Sequence, residues 1–379
     1  MADKLNVGII GLGFIGKTHA KAYHSIPFCF SSAQVLADLK VLWRTSLGRD
    51  EAFIRHCGFD FQTTDLDEFF QVPVKLVDIC TPTGMHTEYV KAAAERGKSI
   101  YCEKPLGKNL EDAREMVKMA EKAGVLTRVA FVMRFYPAVR QMKSILDSGE
   151  LGEVLNFRGH LFHGSYLNPL RPMSWRLRFE DAGGGAFSDL GAHILDLVLY
   201  LIGDVYSVRS DMRTFIKERP TKSGSDQMEK VSVDDWATCT LEMENGAFGL
   251  VEAARTAVGV PDNTTFQVFC QHGSLLFSSK SPEMLTVFDN QKNELIKSPF
   301  KDVPRENERD ISKIWPSAKE SLGFFMNAHL ACQYDFMQNI LDGRSSSPDF
   351  NDALKVQEVL EAAYISAAEG GKKIILPLD

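Results

Sequence analysis

The stretch Val7-Gly8-Ile9-Ile10-Gly11-Leu12-Gly13-Phe14-Ile15-Gly16 decides the fold. An apolar run of strand length enters a Gly-x-Gly-x-x-Gly turn, and residues 15–24 beyond it carry the apolar spacing of a helix. In that arrangement Gly11 makes the tight turn and Gly13 lets a pyrophosphate approach the backbone, while Gly16 allows the helix to pack close to the strand. Phe14 and Ile15 open the helix, whose unpaired N–H groups would face the phosphates.

Working outward, residues 1–130 alternate short apolar runs (5–10, 39–43, 76–80, 99–101, 126–129) with amphipathic helical patterns (15–24, 50–57, 85–96, 110–123). That alternation predicts a parallel sheet with crossover helices, a Rossmann dinucleotide-binding domain. From residue 131 to 379 the texture changes. Longer alternating strands are expected at 154–162, 237–243, 247–255 and 264–270, with Glu244-Asn245-Gly246 turning a hairpin. Helical patterns at 137–148, 191–201, 328–341 and 351–368 should cover one face of a largely antiparallel open sheet and leave the other for a ligand or a second subunit. The polar stretches 217–230 and 290–319 read as long surface loops. The expected class is therefore α/β followed by α+β, as a chain of 379 residues with 44% apolar and 25% charged residues allows.

A net charge of −7 gives no general attraction to phosphate backbones or anionic lipid, so nucleic acid and membrane are not expected partners. The run 194–202 is broken by Asp196 and falls far short of the roughly 20 residues that span a bilayer. The start, MADKLNVGIIGLGFIG, does not read as a signal peptide. Seven scattered cysteines, none in a CxxC pair, fit a reducing cytoplasm better than a disulfide framework. No His/Cys/Asp/Glu spacing suggests a metal, and none is expected.

The second strand ends Trp43-Arg44-Thr45-Ser46, where an acid would meet the ribose of NAD and a cation the 2′-phosphate of NADP. Asp38 lies ahead of the expected strand, so Arg44 and Thr45 favour NADP while leaving NAD open. Two segments follow the next strands where such sheets place ligands: Cys80-Thr81-Pro82-Thr83-Gly84-Met85-His86 and Tyr101-Cys102-Glu103-Lys104-Pro105. A third, Gly183-Gly184-Gly185-Ala186-Phe187-Ser188-Asp189-Leu190-Gly191-Ala192-His193, puts a carboxylate and an imidazole four residues apart, on one face of a helix. A carboxylate beside an imidazole raises its basicity, and a lysine ammonium can hold an oxygen on which negative charge develops.

Together these segments resemble the Gfo/Idh/MocA oxidoreductase family, named for glucose-fructose oxidoreductase and inositol dehydrogenase, over essentially the whole chain. The resemblance implies a catalytic set of Lys104, Asp189 and His193. It also implies a cofactor contact at Glu103, near the nicotinamide ribose, beside Thr81, Pro82, Thr83 and His86. The expected activity is hydride transfer between NAD(P) and a secondary alcohol or ketone of a sugar, inositol or related polyol. His193 would take the hydroxyl proton and Lys104 would orient the oxygen. Arg134, His160, Trp175 and Arg176, with His163 and Tyr166, are further candidates for binding sugar hydroxyls, and His19 for lining the nicotinamide pocket. Asp196 reads as structural. The open sheet face suggests a homodimer or homotetramer. Two other readings stand beside this one: a redox-neutral sugar-modifying enzyme that uses the same site, and a catalytically silent NAD(P)-binding sensor.

Overall fold

Leu5, Val7, Ile9 and Ile10 are buried because their strand is central, with neighbours on both sides. The computed structural model describes residues 2–299 and 309–378. Its first sheet comprises β1 (Asp3–Ile10), β2 (Val35–Trp43), β3 (Phe61–Thr63), β4 (Leu76–Ile79), β5 (Ser99–Cys102) and β6 (Thr127–Val129), all parallel, in the order β3-β2-β1-β4-β5-β6. Helices Phe14–Cys29, His86–Ala94 and Leu110–Ala123 are among the crossovers. A parallel sheet carries helices on its faces, which is why its strands read as continuous apolar runs. Strand order reverses between β1 and β4, and ligands bind outside the carboxyl ends of strands at such a switch point.

Two details differ from the sequence reading. β2 begins at Val35, so Asp38 lies inside the strand and pairs with Lys40 at 3.0 Å. The edge strand β3 has only three residues, too few to show a period of two.

Among the described residues the second sheet has nine strands: β7 (Val154–Phe162), β8 (Val205–Arg213), β11 (Trp236–Met243), β12 (Phe248–Ala254), β13 (Asn263–Cys270), β14 (Gly273–Ser278), β15 (Met284–Asp289), β16 (Glu294–Pro299) and β17 (Ile374–Ile375). The expected hairpin joins β11 and β12 antiparallel, with Gly246 at φ 85° in the turn. The sheet is mixed, because β7 and β12 pair in parallel. Residues 217–230, expected as a loop, instead contain a small antiparallel pair, β9 (Glu218–Pro220) and β10 (Met228–Lys230). Within 290–319 there is the strand β16 and a short 3-10 turn at Ile311–Lys313; the part of that stretch from 300 to 308 lies outside the described residues. Helix Pro137–Ser148 packs on β14 and β15, and Ala192–Leu201 packs on β7.

The chain forms two compact units: the described residues of 1–106, 111–135 and 304–353, and those of 107–110, 136–303 and 354–379. A single boundary near residue 130 does not capture this, since the chain returns to the first unit between β16 and β17. Helix Phe324–Asp342, expected on the second sheet, packs against Phe14–Cys29, with Leu330 closing a cluster with Ala22 and Cys29. Every residue from Asn327 to Ile340 in that helix is buried, so its sequence carries no polar face to say which neighbour it meets. Among the described residues no helix is long and apolar enough to cross a membrane.

Candidate active site

In the first unit the glycine turn has the shape that a pyrophosphate needs. Gly11 sits at φ 100°, and a Cβ on Gly16 would stand 2.1 Å from the Gly11 carbonyl oxygen. Around Gly13 nothing lies within 4 Å of where a Cβ would be, so the backbone is open to a close ligand. Helix Phe14–Cys29 begins there with no acidic residue in its first turn to repel phosphate. These residues fit a dinucleotide.

Beyond β2, Arg44 is buried and its Nη1 donates to the Arg49 carbonyl at 2.7 Å, whereas Thr45 is exposed. The Lys17 ammonium donates to Asp50 at 2.7 Å across the same loop. Thr81 and Thr83 are buried. The ring nitrogens of His86 lie 3.1 Å from the Thr81 carbonyl oxygen and 3.0 Å from that of Leu106, tying the two loops after β4 and β5 together. Burial pushes the His86 pKa down, which favours the neutral ring.

Beneath these loops lies a buried charge network that the sequence does not show. His19 Nδ1 is 3.0 Å from both carboxylate oxygens of Asp78 and 3.1 Å from Cys80 Sγ, and its Nε2 is 3.1 Å from Glu103 Oε1. The other Glu103 oxygen accepts the Lys104 N–H at 3.1 Å. Burial works against a charged His19, but Asp78 and Cys80 outweigh it and hold the imidazolium well above its ordinary range. Burial likewise opposes the Glu103 carboxylate; the His19 hydrogen bond and charge, with Lys104 and His329, hold it at about 2. Potential metal ligands gather here, as His19 with Asp78 and Cys80, and as His19 with Glu103 and His329. His19 Nδ1 stands at hydrogen-bond distance from Asp78 and Cys80, and its Nε2 faces Glu103 as an ion pair, which describes a charge-paired network. His329 stands with its ring 5.2 Å from that of His19, brought there by the returning helix. Arg134 also belongs to the first unit, where it donates to Ser347 at 3.1 Å and lies 3.5 Å from Asp352.

In the second unit, Asp189 lies in a π-helical turn, Phe187–Gly191, that runs directly into helix Ala192–Leu201, whose second residue is His193. The expected α-helical i, i+4 pairing is therefore corrected: the wider turn changes how the two side chains are offset. Asp234 anchors the start of this turn, accepting N–H bonds from Gly185 and Phe187 and the Tyr364 hydroxyl, each at 2.8 Å. A Cβ on Gly185 would stand 2.0 Å from the Asp234 carbonyl oxygen, which accounts for a glycine there.

Beside the Asp189 carboxylate stands a residue that sequence reading missed, Arg255. Arg255 Nη2 donates to Asp189 Oδ2 at 3.0 Å, and Arg255 Nη1 donates to the Arg176 carbonyl at 3.3 Å. The Tyr166 ring faces the guanidiniums of Arg171 at 3.9 Å and Arg255 at 4.8 Å. Arg176 lies over Trp175 at 4.4 Å, and both are half-buried. His163 neighbours this group and accepts from the Ser165 N–H at 3.3 Å; burial lowers its pKa. His160 is a strand residue of β7, stacked on Phe162 and 3.2 Å from Asn263. Asp196 is fully buried in the helix that carries His193. The only signal for Arg255 was a charge at the end of an alternating strand, which is ordinarily a solvated position.

Residues 5–131 match the model of an oxidoreductase family with an NAD-binding Rossmann fold, and residues 139–276 match that of the GFO/IDH/MocA C-terminal domain. The chain is 33% identical to a levoglucosan dehydrogenase of Pseudarthrobacter phenanthrenivorans, covering 97% of each. It is 32% identical to a scyllo-inositol 2-dehydrogenase (NAD(+)) of Bacillus subtilis over 68% of this chain and 69% of that protein. Among solved structures, a levoglucosan dehydrogenase in complex with NADH and L-sorbose superposes with a TM-score of 0.90 at 32% identity, covering 99% of both chains.

Proposed function

This chain belongs to the GFO/IDH/MocA family of NAD-binding oxidoreductases, and from that premise we propose that it is a dehydrogenase acting on a ring secondary alcohol of a sugar, anhydrosugar or cyclitol. Gly11, Gly13 and Gly16 with the start of helix Phe14–Cys29 would hold the pyrophosphate, and Thr81 to Thr83, His86 and Glu103 the nicotinamide half. When bound, nicotinamide supplies the hydride acceptor. His193 accepts the proton of the reacting hydroxyl, Lys104 holds that oxygen and stabilises the negative charge that develops on it, and Asp189 supports His193. Trp175 and Arg176 would meet the remaining hydroxyls. Arg134 and His160 are engaged by their own units, the former at Ser347 and Asp352, the latter at Phe162 and Asn263, and take a lesser part.

The observation that supports this reading most is the pairing, in one chain, of an open pyrophosphate cradle at Gly13 with the Lys104 and Asp189/His193 segments. Its test is reduction of NAD and NADP, separately, with levoglucosan, inositols and aldoses, followed by nicotinamide absorbance. Reduction with one polyol class is expected. Tight cofactor binding with no reduction by any of them would refute the dehydrogenase and favour the redox-neutral enzyme. For the cofactor we take NAD, with Arg44 leaving NADP usable: one guanidinium donor is already spent on the Arg49 carbonyl, and the rest can meet a 2′-phosphate. Arg44→Ala should then weaken NADP while NAD is unaffected. The nine-stranded sheet has one face against helices. Along its strands Phe248 and Tyr206 are exposed, which supports a homodimer or homotetramer, to be read from the mass in solution. Seven buried free thiols favour a reducing cytoplasm.

A further inference from the structure

Arg255 joins four separate stretches of the second unit. It directly follows β12, and its backbone N–H donates to the Asp235 carbonyl at 2.9 Å while its own carbonyl accepts from the Tyr166 N–H at 3.2 Å. Its side chain, 1% exposed, reaches Asp189 with one terminal nitrogen and the Arg176 carbonyl with the other. The planar fork therefore spans the turn that leads to His193 and the segment that carries Trp175 and Arg176. A guanidinium out of water needs a carboxylate to compensate its charge, and Asp189, with its side chain 25% exposed, stands at hydrogen-bond distance. The pair is thus buried at its cationic end and open at its carboxylate end. Tyr166 packs against the guanidinium and limits its movement.

We propose that Arg255 is a positioning residue for the reaction, acting through Asp189: it holds that carboxylate in place and ties the Trp175–Arg176 segment to it at a set distance. This rests on the dehydrogenase reading above. A mobile Asp189 would leave His193 without its support, and a slack Trp175–Arg176 segment would let the sugar ring shift by the ångström that costs about a hundredfold in rate. Arg255 touches neither substrate nor cofactor in this role.

The test is a double-mutant cycle of Arg255→Met and Asp189→Asn, measured on whichever polyol the wild-type enzyme oxidises, with the cofactor Kd read in parallel by fluorescence. Arg255→Met should lower kcat/KM about a hundredfold, mostly through kcat, and leave the cofactor Kd within about twofold. The double variant should be no worse than Asp189→Asn by more than about threefold, because the two act as one unit. Arg255→Lys keeps the buried charge but loses the fork; it should recover about tenfold over Arg255→Met, and added guanidinium should rescue Arg255→Met in part. Should Arg255→Met not fold, the cycle is run with Arg255→Lys and reads the part of the coupling that the guanidinium fork supplies. Multiplicative losses in the double variant, or a loss of less than about threefold in the single one, overturn the proposal. A wild-type enzyme with no turnover on any polyol fails the dehydrogenase reading instead, so the two failures are distinct.

Discussion

Replacing Glu103 by Gln removes one arm of the buried network under the lysine loop, and the structure sets the size of the effect. Glu103 is held at about 2 where an ordinary glutamate titrates at 4.5. A difference of that size stabilises the ionised form by about 3 kcal/mol. The side chains of Glu103 and His19 are 9% and 0% exposed, so solvent screens little of it. Glutamine keeps an acceptor for the Lys104 N–H but turns an amide donor or an uncharged oxygen toward an imidazolium. Because the folded value is depressed, the stabilisation is present above 4.5 and is lost as pH falls through about 2. Wild-type and Glu103→Gln enzymes should therefore differ by about 3 kcal/mol at neutral pH and by less than half of that near pH 3, since by then much of the linkage term is spent. The assay is thermal unfolding at both pH values, following the transition that added cofactor shifts, because that one belongs to the first unit. A gap of roughly 6 to 12 °C is expected at neutral pH. Equal stability at neutral pH, or a gap that does not change between the two, would refute a charged His19–Glu103 pair. His19 works in the opposite sense: its raised pKa contributes stability that is fully present below 6.5 and fades as pH rises through the folded value.

Three further outcomes follow from the geometry. Gly13→Ala meets nothing within 4 Å and sits at an ordinary negative φ of −70°, so the melting temperature should hold while cofactor affinity falls about tenfold; unchanged affinity would argue against a pyrophosphate at this turn. Lys104→Ala and His193→Ala should each cut turnover by about a hundredfold or more with cofactor binding retained, and turnover within a factor of three would remove that residue from the catalytic set. Asp234→Asn loses at least one of the three bonds that anchor the Asp189 turn, at a cost of about 1 to 3 kcal/mol; it should lower both stability and kcat, and a wild-type melt with wild-type kcat would show the anchor to be dispensable.

The first sheet was readable because each of its signals is local. Val7 to Gly16 contains a strand, a turn and a helix start within ten residues; Gly16 is crowded by Gly11 and Cys80, and Gly11 by Cys80 and Thr81, just past the adjacent strand. The hairpin at Glu244-Asn245-Gly246 was readable for the same reason. Helix Phe324–Asp342 was found as a helix but placed on the wrong sheet, since a helix buried all round has no polar face to orient it.

The sequence by itself determined the dinucleotide turn, the alternation of strands and helices in the first 130 residues, and the residue types of the candidate catalytic set at Lys104, Asp189 and His193. Tertiary structure alone decided what surrounds them. His19 meets Asp78 and Glu103 across 59 and 84 positions of chain, and Asp189 meets Arg255 across 66. Spacing along a chain fixes which side chains share a helix face or a strand face. Which distant charge is buried against which depends on the register of whole strands, and that is set by the packing of the sheet, to which these polar residues contribute little.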